Sequence, residues 1–264
     1  MYYYIYDSFL NDNKYQKILH RIENRIVDLG INGKIGRMSM LISPEKMVRE
    51  EIQKGAKTIV VVGNDKTIDK VLSAVAEKDV TLGIIPVGKE NNIAKILGIP
   101  EGSLACDIIS QRRITKIDLI KANEKYCLSN IAMEIKKGKI ICEDNYELSL
   151  TSKKGKVYIY NLANKNEIKK TFEIKQNLEK YLNPNDGMID ILIKPNSKKR
   201  IRKFFGFSKK SKNDTSIIPV KELSISEKEV PSAICDNSTS IKAPLKIKVV
   251  PNAIQIIISK NREF

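Results

Sequence analysis

The sequence predicts an α/β protein: a doubly wound, mostly parallel sheet domain over residues 1–120, followed by a β-sandwich-like domain over residues 121–264. Two observations carry this. Up to about residue 120, short continuous apolar runs alternate with segments of helical periodicity, the rhythm of successive βα units. Beyond it the helical patterns nearly vanish and two-residue alternation takes over, as in YELSLT (146–151) and LKIKVV (245–250), the pattern of strands with one wet face.

The elements follow in order. MYYYIYDSFL opens with an apolar run that reads as a first strand; it lacks a basic leader, and Asp7 interrupts it. Tyr15, Ile18, Leu19, Ile22 and Ile26 recur at helical spacing, with Gly30 as the stop. Ser43-Pro44 is an N-cap and first-turn pair for a helix reaching Gly55. KTIVVV (57–62) is β-branched and apolar throughout, as a strand buried on both faces of a parallel sheet must be. A helix with Ile68, Val71, Leu72 and Val75 on one face follows it. VTLGII (80–85) repeats the buried-strand pattern, Asn91 to Leu97 reads as a short helix ended by Gly98 and Pro100, and KIDLI (116–120) is one more strand. KVYIYNL (156–162) and MIDILI (188–193) are β-rich, and a short helix is expected around Gln176 to Tyr181.

With 42% hydrophobic and 30% charged residues, the composition is that of a folded globular chain rather than a disordered one. No apolar stretch approaches the ~20 residues of a membrane span. The expectation is therefore a cytoplasmic protein, peripheral at most on the inner membrane face. A net charge of +16 favours anionic partners: nucleotides, nucleic acid or acidic lipid. The scattered Cys106, Cys127, Cys142 and Cys235 show no metal-ligand spacing and are expected as free thiols, and His20 sits apart from any cluster.

Ligands of open α/β sheets bind beyond the carboxyl ends of the strands. Two loops occupy that position, GNDKT (63–67) and PVGKENN (86–92). Each contains glycine and leads into a helix, so each is able to aim backbone N–H groups at a phosphate. Structural turns account for such glycines equally well. The order of the segments says more. VVVGNDKTIDKVLSAV resembles the segment built around GGDGTxNE in the diacylglycerol-kinase-like lipid kinases, and LGIIPVGKENNIAKILGIP resembles their second loop and its helix. KIDLIKANEKYCLSN, LNPNDGMIDILI and AICDNSTSIKAPLKIKVVPNAIQIII are similar to the family's later segments, in the same order.

The resemblance implies transfer of the ATP γ-phosphoryl group to a lipid hydroxyl with Mg²⁺, in a cleft between the two domains. It implies nucleotide contacts from Gly63, Asn64, Lys66, Thr67, Gly88, Lys89, Asn91 and Asn92. It implies catalytic roles for Asp65 and Asp118, metal ligation by Asp65, Asp186 and Asp190, and a general base at the position that Ser238 holds. Several of these positions depart from the family pattern. Asn64 and Lys66 replace glycines, Asp69 and Lys70 replace Asn-Glu, Asn92 replaces an aspartate, and Ser238 replaces the glutamate of DGE. The amino-terminal phosphate loop is absent, and YDSFLND (6–12) stands in its place. A serine is a poor base, so weak or lost catalysis is expected, with Glu90 as the nearest substitute acid by sequence. Two readings stand: an unusual kinase in which Lys66 and Lys89 contact phosphate, or a non-catalytic nucleotide- or membrane-binding protein of the same fold.

Residues 194–212 are basic without an acidic residue and carry the apolar FFGF. They read either as a solvated loop or as a contact with acidic lipid headgroups through Lys198, Lys199, Arg200, Arg202 and Lys203. No RNA- or DNA-binding signature stands beside them, so a nucleic-acid partner is not expected.

Overall fold

The computed structural model describes residues 1–136, 139–143, 146–149, 154–174, 177–195, 215–226, 230 and 232–264. The basic stretch with Lys198, Lys199, Arg200, Arg202 and Lys203 lies outside the described residues.

The first half of the chain builds β1 (Tyr2–Tyr6), α1 (Gln16–Asp28), β2 (Gly33–Arg37), α2 (Pro44–Gln53), β3 (Thr58–Gly63), α3 (Asp65–Val75), β4 (Thr81–Pro86), α4 (Asn92–Ile96), α5 (Leu104–Gln111) and β5 (Ile114–Ala122). There follow β6 (Lys125–Cys127), β7 (Asn130–Lys136), β8 (Lys139–Cys142), β9 (Tyr146–Ser149), β10 (Lys154–Tyr160), α6 (Lys165–Thr171) and β11 (Ile189–Pro195). The chain closes with β12 (Ser216–Val220), β13 (Glu222–Ile225), β14 (Ser232–Cys235), β15 (Thr239–Lys242) and β16 (Leu245–Ile257). No helix among the described residues is long and apolar enough to cross a membrane.

The protein is mixed α/β. One sheet runs β2-β1-β3-β4-β16-β13-β8-β9, with β5 beside β16 and β6 beside β5. Its β2-β1-β3-β4-β16 steps are parallel, so the carboxyl ends of β1 to β4 share one edge. Every residue of β3 and β4 is buried, as the continuous apolar runs require. A second sheet, β12-β11-β10-β7-β14-β15, is antiparallel. Ile131, Val157 and Ile189 of this second sheet share a core with Leu223, Leu245 and Ile247 of the first, which makes the sandwich.

β16 is longer than its alternating start suggests. A register shift between Val250 and Ile254 divides it. Leu245, Ile247 and Val249 point into the sandwich core, whereas Ile254, Ile256 and Ile257 join the α/β core, where Gln255 and Ile256 pair with β4. The helix expected around Gln176 to Tyr181 does not form among the described residues 177–181; the local helix is α6, farther up the chain. Asn164 caps it by accepting the Glu167 N–H. Only Ile168 of this helix is buried, so it carries no apolar stripe to be read. Cys127 and Cys235 are joined in a disulfide across 108 residues, which corrects the expectation of four free thiols; Cys106 and Cys142 are free and buried.

Candidate functional site

GNDKT and PVGKENN lie side by side at the carboxyl edge of the parallel strands. The Asp65 N–H donates to the Glu90 carbonyl at 3.0 Å, and Val87 N–H donates to the Gly63 carbonyl at 2.8 Å. Asn64 caps α3 in a capping box with Thr67, each side chain accepting the other's backbone N–H. A side chain at 64 is therefore accommodated as a cap on extended backbone, without distortion of the turn. Gly63 is needed as glycine, because a Cβ there would collide with Thr67 Oγ1. Gly88, at φ +92°, lies against the Phe9 ring, 3.2 Å from where a Cβ would stand. Phe9 belongs to the turn after β1 (residues 6–12), so this turn packs directly on the second loop.

The polar groups of this edge are largely spoken for. Both Asp65 oxygens accept N–H groups at the start of α4, from Asn92 at 2.8 Å and Ile93 at 3.1 Å. Asp65 thus ties the first loop to the second. Lys66 pairs with Glu90 at 2.9 Å, both more than half exposed. Asn91 is buried and donates to the Gly88 carbonyl at 3.0 Å and to Glu101. Lys89 and Asn92 are exposed. Asp7, at the end of β1, accepts from Thr67 Oγ1 at 2.9 Å and Lys70 Nζ at 2.7 Å. Burial pushes the Asp7 carboxyl up, but the Lys70 ammonium and the Thr67 hydroxyl outweigh it and hold it below its ordinary range.

One helical turn along α3 from Asp65 stands Asp69, about 6 Å further along the axis and on the same face. Its Oδ2 accepts the Ser238 hydroxyl at 3.0 Å and that of Thr239, and its Oδ1 meets Lys125 Nζ at 3.0 Å. Ser238 is therefore hydrogen-bonded to a buried carboxylate from the first half of the chain. Glu90, the acid nearest by sequence, is not that partner, because Lys66 engages it at the loop tip. The turn carrying Ser238 is anchored by Asp236, whose carboxylate accepts the N–H groups of Leu128, Ser129 and Asn130 at 2.7, 2.8 and 3.0 Å. Burial lifts this carboxyl to about 6 against the pull of those donors. The Cys127–Cys235 bridge joins the same two segments. A cavity of about 860 Å³ opens beside the group, its wall including Lys121, Lys125, Tyr126, Thr239 and Lys242.

Asp118 lies on β5, whereas Asp65 opens α3. Its oxygens accept the Gly187 N–H at 2.8 Å and the Asn252 N–H at 2.7 Å, so it organises two loops. Asp186 is exposed and accepts the Met188 N–H. Asp190 is buried, with one oxygen on the Leu182 N–H at 2.6 Å and the other without a partner. Burial raises its carboxyl to about 6, and Asp186 adds to the rise. Asp65, Asp186 and Asp190 do not fit a single metal ion. Among the described residues, one carboxylate and thiol group brings three ligand atoms within 4.8 Å of one another, Asp69, Cys235 and Asp236, and there Cys235 is already in the disulfide.

Sequence reasoning missed Asp69 with Lys125, and Asp7 with Lys70. The Asp69–Ser238 contact spans 169 residues, so no local pattern announces it. The replacement of Asn-Glu by Asp69-Lys70 was the available signal, since both new charges find partners distant in sequence, Lys70 at the end of β1 and Asp69 on β6.

Residues 2–122 match the diacylglycerol kinase catalytic domain family. A curated relative in Staphylococcus carnosus named "Diacylglycerol kinase" is 31% identical over 114 residues, 42% of this chain and 35% of the relative. One in Enterobacter sp. (strain 638), named "Probable lipid kinase YegS-like", is 30% identical over 92 residues, 33% of this chain and 31% of the relative. The matched part thus spans about a third of these relatives. Among solved structures, a diacylglycerol kinase from Bacillus anthracis superposes with TM-score 0.76 at 20% identity, covering 99% of this chain and 97% of that one. An NAD kinase from Archaeoglobus fulgidus in complex with ATP superposes with TM-score 0.58 at 14% identity, covering 100% of this chain and 96% of that one. Residues 2–122 belong to the diacylglycerol kinase catalytic domain family, and the whole chain has the two-domain fold that these kinases share.

Proposed function

We propose that this protein is an ATP-dependent lipid kinase with a rebuilt acceptor site and slow turnover. The family match and the kinase fold support the reading, and the Ser238–Asp69 contact carries it. In this reading ATP lies at the edge formed by residues 63–67 and 86–92, where Lys66 and Lys89 replace contacts usually made by glycine loops. A divalent ion bound together with the nucleotide would supply charge neutralisation at the phosphates, because the candidate carboxylates do not make one site of their own.

The acceptor hydroxyl attacks Pγ as the bond from Pγ to the bridging oxygen of ADP breaks. The hydroxyl proton passes to Ser238 Oγ as the Ser238 proton passes to Asp69, so the carboxylate of Asp69 ends protonated and ADP leaves. That carboxylate already accepts two hydroxyls and faces Lys125, so in this reading it reaches the acceptor proton only through Ser238 and not directly. A positioned base contributes ~10²–10⁴ in rate, and much of that factor is forfeited here. Docking on acidic lipid through Lys198, Lys199, Arg200, Arg202 and Lys203 belongs to the same reading and rests on sequence.

The test is ADP release with diacylglycerol in mixed vesicles, alongside ATP titration with and without Mg²⁺. Slow ADP release that falls to background in Asp69→Asn, with ATP affinity unchanged, is the expected result. A second reading, a non-catalytic nucleotide-binding protein, is favoured by the engagement of Asp65, Asp118 and Asp236 with backbone N–H groups. ATP binding with equal, background ADP release from wild type and Asp69→Asn would decide for it.

A further inference from the structure

Residues 38–43 connect β2 to α2. β2 runs parallel to β1, so this loop leaves the sheet at the same edge as Asp7 and the two phosphate-facing loops. Its tip is Met40-Leu41-Ile42. Met40 and Leu41 are fully exposed, at 105% and 94%, and Ile42 is 47% exposed. Other exposed large apolar side chains among the described residues, such as Val27, Ile35 and Leu104, stand one at a time, which needs no explanation. Three in succession do. Held apart from the core, they gain nothing from folding.

The loop is anchored rather than trailing. The Met38 N–H donates to the Tyr6 carbonyl at 2.9 Å and its side chain is buried. On the far side Pro44 opens α2, and Val48 is buried. A fixed apolar tip flanked by exposed Arg37 and Lys46, on a chain of net charge +16, combines hydrophobic and cationic contact on one small surface. An anionic bilayer offers the complement of both.

We propose that Met40-Leu41-Ile42 inserts into the headgroup region of an anionic membrane and seats the carboxyl edge of the parallel sheet against it. The inference rests on the reading of the acceptor as a lipid, whose hydroxyl lies at headgroup depth. A tip on the same edge as the phosphate loops brings the cleft to that depth without extracting the lipid.

The chain contains no tryptophan, so Leu41→Trp places a single indole at the tip. Its emission is to be followed with vesicles of phosphatidylglycerol and phosphatidylcholine, against phosphatidylcholine alone, with sedimentation of the same samples. The expected result is a blue shift with anionic vesicles and quenching by lipids brominated near the headgroup. In otherwise wild-type protein, Met40→Ser with Leu41→Ser and Ile42→Ser should weaken partition about tenfold at unchanged melting temperature. Sedimentation with anionic vesicles but an unshifted indole would overturn the insertion while leaving attachment through Lys198 to Lys203 intact. No sedimentation would overturn both. A shift without vesicles that grows with protein concentration would assign the tip to a second copy of the chain and overturn the proposal. Insertion without ADP release would sink the lipid-acceptor reading and leave the membrane contact standing.

Discussion

The edge formed by residues 63–67 and 86–92 and the turn at 236–239 both depart from the family pattern, yet they absorb the change differently. At the edge the new side chains find partners locally: Asn64 with the Thr67 N–H, Lys66 with Glu90. At the turn the answer comes from another domain, where Asp69 meets Ser238, Thr239 and Lys125. Local repair preserves the shape of a loop. Repair between the two halves of the chain also brings a carboxylate to the serine that the proposed reading places beside the acceptor hydroxyl. The second kind of change is therefore the one on which the proposed reading turns, and the turn that carries it has the larger structural stake.

That stake is the largest effect to be measured. Asp236→Ala removes the acceptor of three backbone N–H groups, those of Leu128, Ser129 and Asn130. Each buried donor left unmet costs about 1–3 kcal/mol, so a loss of about 3–5 kcal/mol in urea unfolding is expected. Asp236→Asn keeps an acceptor oxygen and should lose less. A loss under about 1 kcal/mol from the alanine variant would show that the disulfide alone holds the turn, and would remove the contrast with the edge loops.

A smaller effect, with a definite sign, sits on β11. Asp190 is held near 6, above its ordinary 3.8, with one buried oxygen unpartnered. Between about pH 4 and 6 the folded chain keeps a proton that the unfolded chain has lost, so this group lowers stability as pH rises through the window and no further above it. Asp190→Asn still accepts the Leu182 N–H without the charge. It should match wild type near pH 4 and gain up to about 3 kcal/mol by pH 7. A difference that does not vary with pH across this window would mean that Asp190 ionises in the normal range.

Much of the edge was legible in the sequence, and little of the turn. The runs 57–62 and 80–85 became strands Thr58–Gly63 and Thr81–Pro86, because total burial leaves an unbroken apolar signal. Pro44 opens α2 as read, although the Ser43 side chain before it makes no capping hydrogen bond. The loops' adjacency followed from parallel order alone. In contrast, α6 has a cap but no stripe, β16 changes core at its bulge, and the Cys127–Cys235 bridge has no spacing rule. Asp69 was visible as a departure but not as a partner, since the contact depends on how the second sheet returns to α3.

Asp65 tests the edge itself. The resemblance gives it a place in catalysis, while the structure gives it two N–H bonds at the head of α4. Asp65→Ala should cost about 1–2 kcal/mol, the ordinary range for a lost cap, and should loosen both loops together. Hydrogen exchange at Asn92 and Ile93 would report it. Unchanged protection there would leave Asp65 free for metal or substrate.

The smallest effect separates a structural from a functional use of the edge. Lys66 and Glu90 are both more than half exposed, so their ion pair contributes little to stability, and Glu90→Gln should leave the melting temperature where it is. Its effect on nucleotide is expected to be larger. A phosphate arriving at this edge must compete with Glu90 for the Lys66 ammonium and approach the Glu90 charge as well. Removing that charge frees Lys66 as a point-charge partner. Calorimetric titration should therefore show ATP binding tightened about two- to fivefold in Glu90→Gln, an effect that fades with salt as exposed charges are screened. Lys66→Met should weaken binding in the wild type and cancel the gain when combined with Glu90→Gln. Weaker binding in Glu90→Gln alone would mean that Glu90 helps to hold the nucleotide's cation, and the edge loops would then be a rebuilt site like the turn.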